Sequence, residues 1–332
     1  MAHPNKKEGC TKREDEAFIP NEVLLVYKKS KFSLYAHERK HERFQALLAR
    51  EDELARVFVQ AHEAHQRTLE HVKSTLSRMG VRFRTCYRAR LSEKDTQGRL
   101  VLSVGGDGTL LDASHRVSDA WVLGVNSDPD RSVGFLCAAT AENVERVLGE
   151  VLEGRLRPTP VARLQGWVED EPLGMPVLNE LLVAHRNPAA TARYLLRVEE
   201  RVEEQKSSGI WLAAPAGSTA AIASAGGYVQ PLDDTRLQLR VREAYGADSS
   251  LPKFTKAYVS PPRCVEVVSR MREGVIYVDG PHKRIAFPMG ATLRLGADGA
   301  PLSLVVTEEM RQRRARLGRE LMERRSAAIL DL

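Results

Sequence analysis

Hydrophobic and polar positions follow different patterns in the two halves of the chain. In the first half, short apolar runs typical of buried parallel strands alternate with segments of helical periodicity. The strand-like runs are 22–27, 81–86, 100–104 and 121–125. A long charged stretch, 36–80, carries apolar residues every three or four positions. This alternation predicts an α/β domain over residues 21–157.

After residue 157 the pattern changes to short segments of alternating polarity, separated by turns rich in Gly, Pro and Asp. These segments are 161–169, 176–185, 193–200, 209–214, 235–242, 264–269, 274–279 and 291–295. They predict a β-sandwich domain over residues 158–306. Residues 307–332 return to a helical pattern, and we expect this helix to pack on the N-terminal domain. Residues 1–20 are expected to form a disordered leader.

Composition is that of a soluble globular protein of about two domains, with 332 residues, 42% hydrophobic and 28% charged. No apolar run approaches the roughly 20 residues that span a bilayer, and the N-terminus has no apolar signal core. The four cysteines have no metal-type spacing and are expected to be reduced thiols. We therefore expect a cytoplasmic protein that does not bind membranes.

The net charge of +6 is compatible with nucleic-acid binding or with an anionic small substrate. The basic residues are densest in the last helix, where glutamates are interspersed and no aromatic residue is available for base stacking. This mixture favours a solvated or subunit-facing helix, and we expect no nucleic-acid partner. His62, His65 and His71 have no acidic or cysteine partner in register on the stretch 36–80, so we interpret them as surface residues.

The stretch 102–111, LSVGGDGTLL, has the order strand, glycine turn, helix start. Glycines let the backbone approach a phosphate closely, and the N–H groups that open the helix point at the anion. Asp107 is unusual in an anion site unless it accepts a proton or holds a metal. The loop lacks the Lys-Ser/Thr of a Walker A motif. The alternative is an ordinary Asp-Gly turn, but the flanking strand and helix favour a phosphate site.

Three other stretches carry polar or small residues where a ligand could bind. The loop 124–129, which includes Asn126, ends the strand after the glycine loop, so both loops are expected at the same crevice. Asn179 and Glu180 lie together in an apolar strand, where alternation places them on opposite faces. The run of small residues over 206–227 leaves backbone open to a flat ligand; its alternative is a tightly packed helix start.

Together these stretches resemble the NAD kinase family. The glycine-acid loop, the Asn-Glu pair, the Gly-Ser-Thr-Ala stretch and the late Asp279-Gly280 occur in that family's order over about residues 98–290. The sequence is most similar to the NADH-kinase-like branch of plants. The resemblance implies a Rossmann-like domain followed by a β-sandwich, with the active site between them. It also implies transfer of phosphate from ATP to the 2′-hydroxyl of the adenosine ribose of NAD(H), and a homodimer or homotetramer.

The resemblance assigns roles by position. Asp107 is the general base, and the phosphates of ATP are bound by Gly105, Gly106, Gly108, Thr109 and Asn126. The residues expected to bind NAD(H) are Asp107, Gly108, Asn179, Glu180, Lys206, Ser208, Gly217, Ser218, Thr219, Ala220 and Ser224. No protein metal site is expected, because Mg²⁺ or another divalent cation arrives with ATP.

Two positions depart from the common bacterial pattern. Ser208 stands where an acid is usual, and Ala221 stands where an aromatic residue is usual. Loss of the acid removes a negative charge, which would relax preference towards NADH because only oxidised nicotinamide carries a positive ring. Alternatives to an NAD(H) kinase are a lipid kinase of the diacylglycerol or sphingosine type and a catalytically silent nucleotide-binding regulator.

Overall fold

A computed structural model describes residues 22–246 and 252–327. The predicted leader, 1–20, lies outside the described residues. The strands of the N-terminal half are β1 (Val23–Tyr27), β2 (Phe83–Tyr87), β3 (Leu100–Gly105), β4 (Trp121–Asn126) and β5 (Ala139–Thr140). Its helices are α1 (Glu42–Ala49), α2 (Glu53–Arg78), α3 (Glu93–Thr96), α4 (Asp107–Ser114) and α5 (Val144–Leu152).

The single charged helical stretch predicted over 36–80 is interrupted twice. A π-helical turn over Ser33–Glu38 is followed by α1 and then α2. Lys40 and Glu51 adopt positive φ at the two breaks, and Asp52 accepts a hydrogen bond from the Leu54 N–H to cap α2. Apolar periodicity continued through both breaks and therefore concealed them.

The N-terminal sheet is parallel, in the order β4-β3-β1-β2. Its central strands β1, β3 and β4 are almost completely buried, which explains their continuous apolar sequence. The carboxyl ends of these strands meet at one edge, where β3 runs into the glycine turn and α4. The expected crevice therefore forms at this edge.

The C-terminal half is made of antiparallel strands in two layers. Its strands are β6 (Pro158–Val168), β7 (Glu171–Pro172), β8 (Glu180–His185), β9 (Ala192–Val198), β10 (Arg201–Ser207), β11 (Ile210–Ala213), β12 (Leu237–Val241), β13 (Lys256–Val259), β14 (Cys264–Ser269), β15 (Gly274–Val278), β16 (Lys283–Ala286) and β17 (Thr292–Val305). One layer has the order β13-β12-β11-β8-β15-β16. The other contains β10, β9, β14, β17 and β6, and apolar residues of both layers form one core.

Strand β17 connects the two halves of the molecule. Sequence patterning indicated a strand only over 291–295, whereas the structure continues it to Val305. Ser303 and Leu304 pair in parallel with Trp121 and Val122 of β4. The N-terminal sheet and one layer of the sandwich are therefore a single hydrogen-bonded sheet of 11 strands among the described residues.

A long C-terminal helix follows β17. The helix α7 (Glu308–Ala327) comes after a short helix α6 (Ala221–Ser224). Met310 is buried in the N-terminal core, as expected for a helix returning to that domain. The middle of α7 also contacts the C-terminal half, because Arg314 is 2% exposed and bonds to the segment 215–230. No helix in the described part of the chain is long and apolar enough to cross a membrane.

Candidate active site

The glycine loop joins β3 to α4 with Gly106 at the N-cap position. A Cβ at Gly105 would collide with the side chain of Thr109, which is itself 2% exposed. Gly108 has nothing within 4 Å of the position its Cβ would occupy. Gly105 therefore allows tight packing of the turn, and Gly108 leaves the first turn of α4 open to an approaching ligand.

Asp107 is held by the loop that follows β4. Its Oδ2 accepts a hydrogen bond from the Phe135 N–H at 2.9 Å, and its Oδ1 accepts one from the Leu136 N–H at 2.8 Å. Burial raises the pKa of Asp107, with these two N–H groups acting in the opposite direction. A fixed carboxylate with a raised pKa is suited to accept a proton from a substrate hydroxyl.

Asn126 contributes to the loop rather than presenting a free side chain. Its Nδ2 donates to the Ser132 carbonyl oxygen at 2.6 Å, and its Oδ1 accepts from the Asp128 N–H at 3.2 Å. Ser132 in turn lies against Gly106. The contact that we predicted between Asn126 and ATP therefore requires either its backbone or a rearranged side chain, and Asn126 shapes the glycine loop from behind.

The Asn179-Glu180 pair lies at the start of β8, not within a strand as the apolar pattern suggested. Asn179 Oδ1 and Glu180 Oε2 are buried and have no hydrogen-bond partner among the described residues. Burial, and to a lesser extent the charge of the nearby Asp279, raises the pKa of Glu180 to about 8. Buried acceptors without partners are rare, and together they form a place for hydrogen-bond donors of a ligand.

Asp279 fixes this pair in place. Its carboxylate, fully buried, accepts hydrogen bonds from the backbone N–H groups of Leu178, Asn179 and Glu180 at 2.8–3.0 Å. Its Oδ2 also lies 2.7 Å from Nε2 of His115, the residue that ends α4. The Asp279 carboxylate thus connects the glycine-loop helix to the Asn-Glu pair, across the two halves of the chain.

The small residues of 216–220 pack against the Asn-Glu pair. A Cβ at Gly217 would collide with the backbone of Asn179, so only glycine allows this approach. Ala220 is half-exposed beside it, and Ser224 is exposed on α6. The Ser218 hydroxyl points inward, where it donates to the Pro215 carbonyl oxygen and accepts from the Gln230 N–H.

Two arginines of α7 bond to the candidate site, Arg314 to the segment 215–230 and Arg313 to the loop 134–137. Arg314 donates to the Ser218 Oγ at 3.0 Å and to the Thr219 Oγ1 at 3.3 Å. Arg313 donates to the carbonyl oxygens of Gly134 and Cys137, on either side of the N–H groups that hold Asp107. The hydroxyls of Ser218 and Thr219 therefore have protein partners, so the NAD(H) contact that we predicted for them would have to use the backbone of the segment.

Lys206 and Ser208 lie apart from the other predicted NAD(H)-binding residues. Strand β11 runs antiparallel to β8, pairing Ala213 with Glu180 and Ile210 with Val183. Ser208 precedes β11 and is therefore at the opposite end of it from Glu180, roughly 15 Å away along the strand. Lys206 is exposed on β10, at an edge of the other sheet. The structure does not bring these two residues to the Asn-Glu pair within one chain.

Comparison with known proteins identifies the family of this chain. Residues 20–156 match the family model described as ATP-NAD kinase N-terminal domain. A probable NADH kinase of rice (Oryza sativa subsp. japonica) is 35% identical over 268 residues, which are 74% of this chain and 82% of the rice protein. The chain belongs to the NAD kinase family. An NADH kinase of Arabidopsis thaliana is 32% identical over 76% of this chain and 87% of its own length, which places the chain with the plant NADH-kinase-like branch.

Solved structures in the NAD kinase family share the fold. The crystal structure of an NAD kinase from Archaeoglobus fulgidus in complex with ATP has a TM-score of 0.67 at 21% identity. The alignment covers 90% of this chain and 98% of that one. Yeast NADH kinase complexed with NADH has a TM-score of 0.62 at 16% identity, over 90% of this chain and 87% of that one. The predicted fold class, an α/β domain followed by a sheet-rich domain and a C-terminal helix, is confirmed.

Several residues that build the candidate site of this NAD kinase family member were not predicted from its sequence. His115, Arg313 and Arg314 contact residues 84 or more positions away, which no local pattern reveals. Asp279 had a usable signal, since an Asp-Gly pair ends a buried strand. His65 was wrongly interpreted as a surface residue: it is 1% exposed, and its ring bonds to the Lys28 carbonyl oxygen and the Ser127 hydroxyl.

Proposed function

We propose that this chain transfers the γ-phosphoryl group of ATP to the 2′-hydroxyl of the adenosine ribose of NAD⁺ or NADH. Family membership supports the reaction, and one observation supports a position for the acceptor substrate. The orphaned acceptors Asn179 Oδ1 and Glu180 Oε2 are fixed by Asp279, which also binds His115 at the end of the glycine-loop helix. A dinucleotide that donates to these two atoms has its ribose beside the loop that carries Asp107.

The glycine loop then has two proposed roles, proton acceptance by Asp107 and phosphate binding by backbone N–H groups. Asp107 accepts the proton of the 2′-hydroxyl while the 2′-oxygen forms a bond to the γ-phosphorus, and the bond from that phosphorus to the β,γ-bridging oxygen breaks to release ADP. The N–H groups of the first turn of α4, next to Gly106 and Gly108, hold the phosphates. In-line positioning is the main contribution of the protein to such a loose transition state.

We propose that the divalent cation enters with ATP. Among the described residues there is no group of three or more His, Cys, Asp or Glu side chains that could hold a metal ion. Mg²⁺ usually keeps several waters and takes substrate phosphates together with one or two carboxylates. Bound with ATP, the cation would neutralise charge on the phosphates.

A preference for NADH is also proposed, on the basis of the relatives named NADH kinase and of Ser208. Ser208 is distant from Glu180 within one chain. It can therefore affect the preference for NADH directly only if the nicotinamide end of the substrate, or a second copy of the chain, reaches Ser208. Ser208→Asp, with Ser207→Ala as the control for local disturbance, should shift kcat/KM towards NAD⁺. An unchanged NAD⁺ to NADH ratio would remove Ser208 from the explanation.

Assembly, location and domain boundaries complete the proposal. We propose a homodimer or homotetramer, to be measured by light scattering at enzyme concentrations used in assays. A cytoplasmic location is favoured by the free thiols of Cys86, Cys137 and Cys264, which are the described cysteines. The domain boundaries 21–157 and 158–306 stay a prediction.

The deciding experiment is an endpoint assay of the purified full chain with ATP and Mg²⁺, offering NAD⁺ and NADH separately. NADP(H) is read with a strictly NADP-dependent dehydrogenase. Product from either acceptor supports the proposal, and the ratio tests the preference. If neither acceptor gives product, phosphorylation of diacylglycerol and sphingosine is assayed next. A lipid product would indicate a lipid kinase, and binding without any product would indicate a silent nucleotide-binding protein.

A further inference from the structure

Lys28 is an unassigned cation at the mouth of the glycine loop. In the parallel register, Tyr27 pairs with Val104 and Tyr87, and the next row pairs Gly105 with Asn126. Lys28 follows Tyr27 directly and therefore lies at the level of Gly105. It stands at the carboxyl end of the central strand β1, beside the loop proposed to bind ATP.

Within the described part of the chain, the ammonium group of Lys28 has no close ion-pair partner. Throughout residues 22–246 and 252–327, its side chain forms no hydrogen bond or ion pair, although it is half-buried. The neighbouring charges are already paired, Arg88 with Asp112 at 2.8 Å and Asp128 with Arg131 at 3.0 Å. A half-buried cation without a partner is costly to the fold unless an anion completes it.

The charged groups around Lys28 also indicate that it lies at this crevice. Burial lowers its pKa first, and Arg88 lowers it further, while Asp128 acts in the opposite direction. Lys31 also lowers the pKa of Lys28, and Cys137, which lies 3.9 Å from the Asp107 carboxylate, raises it. Lys28 therefore lies near Arg88 and Asp128, at the same crevice as the Asp107 carboxylate.

His65 fixes the position of Lys28. Its Nε2–H donates to the Lys28 carbonyl oxygen at 2.9 Å, and its Nδ1 accepts from the Ser127 hydroxyl at 2.9 Å. Thr68, one turn further along α2, donates to the Ser127 carbonyl oxygen at 3.1 Å. The carboxyl ends of β1 and β4 are therefore held together by α2, in the row that contains Lys28, Gly105 and Asn126.

We propose that Lys28 binds the triphosphate of the phosphoryl donor, and that His65 is the positioning residue that aims it there. The inference rests on the proposed function and adds a donor-side residue to it. Lys28 supplies a point charge that the glycine loop lacks, since this loop has no Walker-type lysine after its glycines. Its contribution falls on the donor and not on the dinucleotide.

The test compares Lys28→Met with Lys28→Arg and with the matched control Lys31→Met, which removes an exposed charge nearby. We expect Lys28→Met to raise KM for ATP by about 10- to 100-fold, the usual effect of a lost charge-assisted contact, and to leave KM for NAD(H) within about twofold. Lys28→Arg should retain part of the affinity, and Lys31→Met should stay near wild type. Equal increases in both KM values, or none, would overturn the proposal.

A second measurement does not depend on catalysis. Inorganic tripolyphosphate, titrated by thermal shift, should stabilise the wild type and Lys31→Met but lose its effect on Lys28→Met. Without ligand, Lys28→Met should melt at or above the wild-type temperature, because it removes an unpaired ammonium group. An unchanged tripolyphosphate shift in Lys28→Met overturns the donor-side role even if NADP(H) is formed. A lost shift supports the role even if the NAD(H) kinase assay fails.

The positioning role of His65 has its own test. His65→Gln should raise KM for ATP by a smaller factor than Lys28→Met does, and the double variant should be little worse than Lys28→Met alone, because His65 acts through Lys28. Full additivity of the two variants would overturn the positioning role.

Discussion

The glycine-loop part of the site and the Asn179-Glu180 part are built by different means. Asp107 is held by N–H groups 28 and 29 residues away, within one α/β unit. The Asn-Glu pair depends on Asp279, about 100 residues further along the chain. We call the first the local part, because its contacts join residues of one α/β unit. The second, which we call the assembled part, joins distant segments, and we expect a ligand to complete it because two of its buried oxygens have no hydrogen-bond partner among the described residues.

The largest expected effect is on catalysis in the local part. Asp107→Asn removes the proton acceptor but keeps a side chain of the same shape, so kcat should fall by about 10² or more with little change in KM for either substrate. Asp119→Asn, an exposed position after α4, is the control. Steady-state kinetics with both acceptors measure the difference. Retained turnover would mean that Asp107 is not the base.

Asp279→Asn should damage the assembled part. The two carboxylate oxygens of Asp279 accept from three backbone N–H groups and lie beside His115, whereas an amide has only one acceptor oxygen. We therefore expect a loss of about 2 kcal/mol or more in unfolding free energy. KM for NAD(H) should rise more than KM for ATP. Urea unfolding and kinetics test this, with the exposed Asp298→Asn as the control. Equal effects on both KM values would contradict the separation of the two parts.

Glu180→Gln should change the pH dependence of the melting temperature. The pKa of Glu180 is about 8 when folded and near 4.5 in its ordinary state, so the unfolded chain loses this proton first as pH rises. Stability associated with Glu180 is therefore full below pH 4.5 and is lost as pH rises through 8. We expect Glu180→Gln to melt a few degrees higher than wild type at pH 8.5 and no higher at pH 4.5, while KM for NAD(H) increases. A difference in melting temperature that does not vary with pH would contradict the assignment of this pH dependence to Glu180.

The last prediction concerns His65 in the local part. Burial lowers its pKa to about 4 from 6.5, so its neutral form stabilises the fold above pH 6.5 and this contribution is lost as pH falls towards 4. The acid-dependent loss should be about 2–3 kcal/mol in wild type and absent in His65→Gln. Unfolding in urea at pH 7 and pH 4.5 measures it, and the half-buried His62→Gln is the control. The same pH slope in wild type and His65→Gln would rule out His65 as the source.

Sequence predicted the local part well and the assembled part incompletely. The strand, turn and helix of the glycine loop follow from adjacent residues, and β3 and β4 were predicted nearly to the residue. The strands β10, β13 and β16 were missed because each lies at the edge of its sheet, where charged residues replace the apolar alternation.

Contacts over long sequence distances explain the remaining errors. Lys206 and Ser208 belong to the same run of small and polar residues as Gly217, but a strand, β11, separates them in space. Ser218 matched the family pattern, yet its hydroxyl is occupied by Gln230 and Arg314. A motif gives the order of residues along the chain, and it does not give the direction in which each side chain points.

The strand β17 has a consequence for motion and folding. Because its hydrogen bonds continue from β14 and β6 into β4, the two halves are joined through a shared sheet in the described part of the chain. We therefore expect substrates to enter by movement of loops at the crevice rather than by hinge closure of whole domains. The shared ladder also couples the two cores, so denaturation should proceed as one cooperative transition, and a ligand bound in either half should stabilise both.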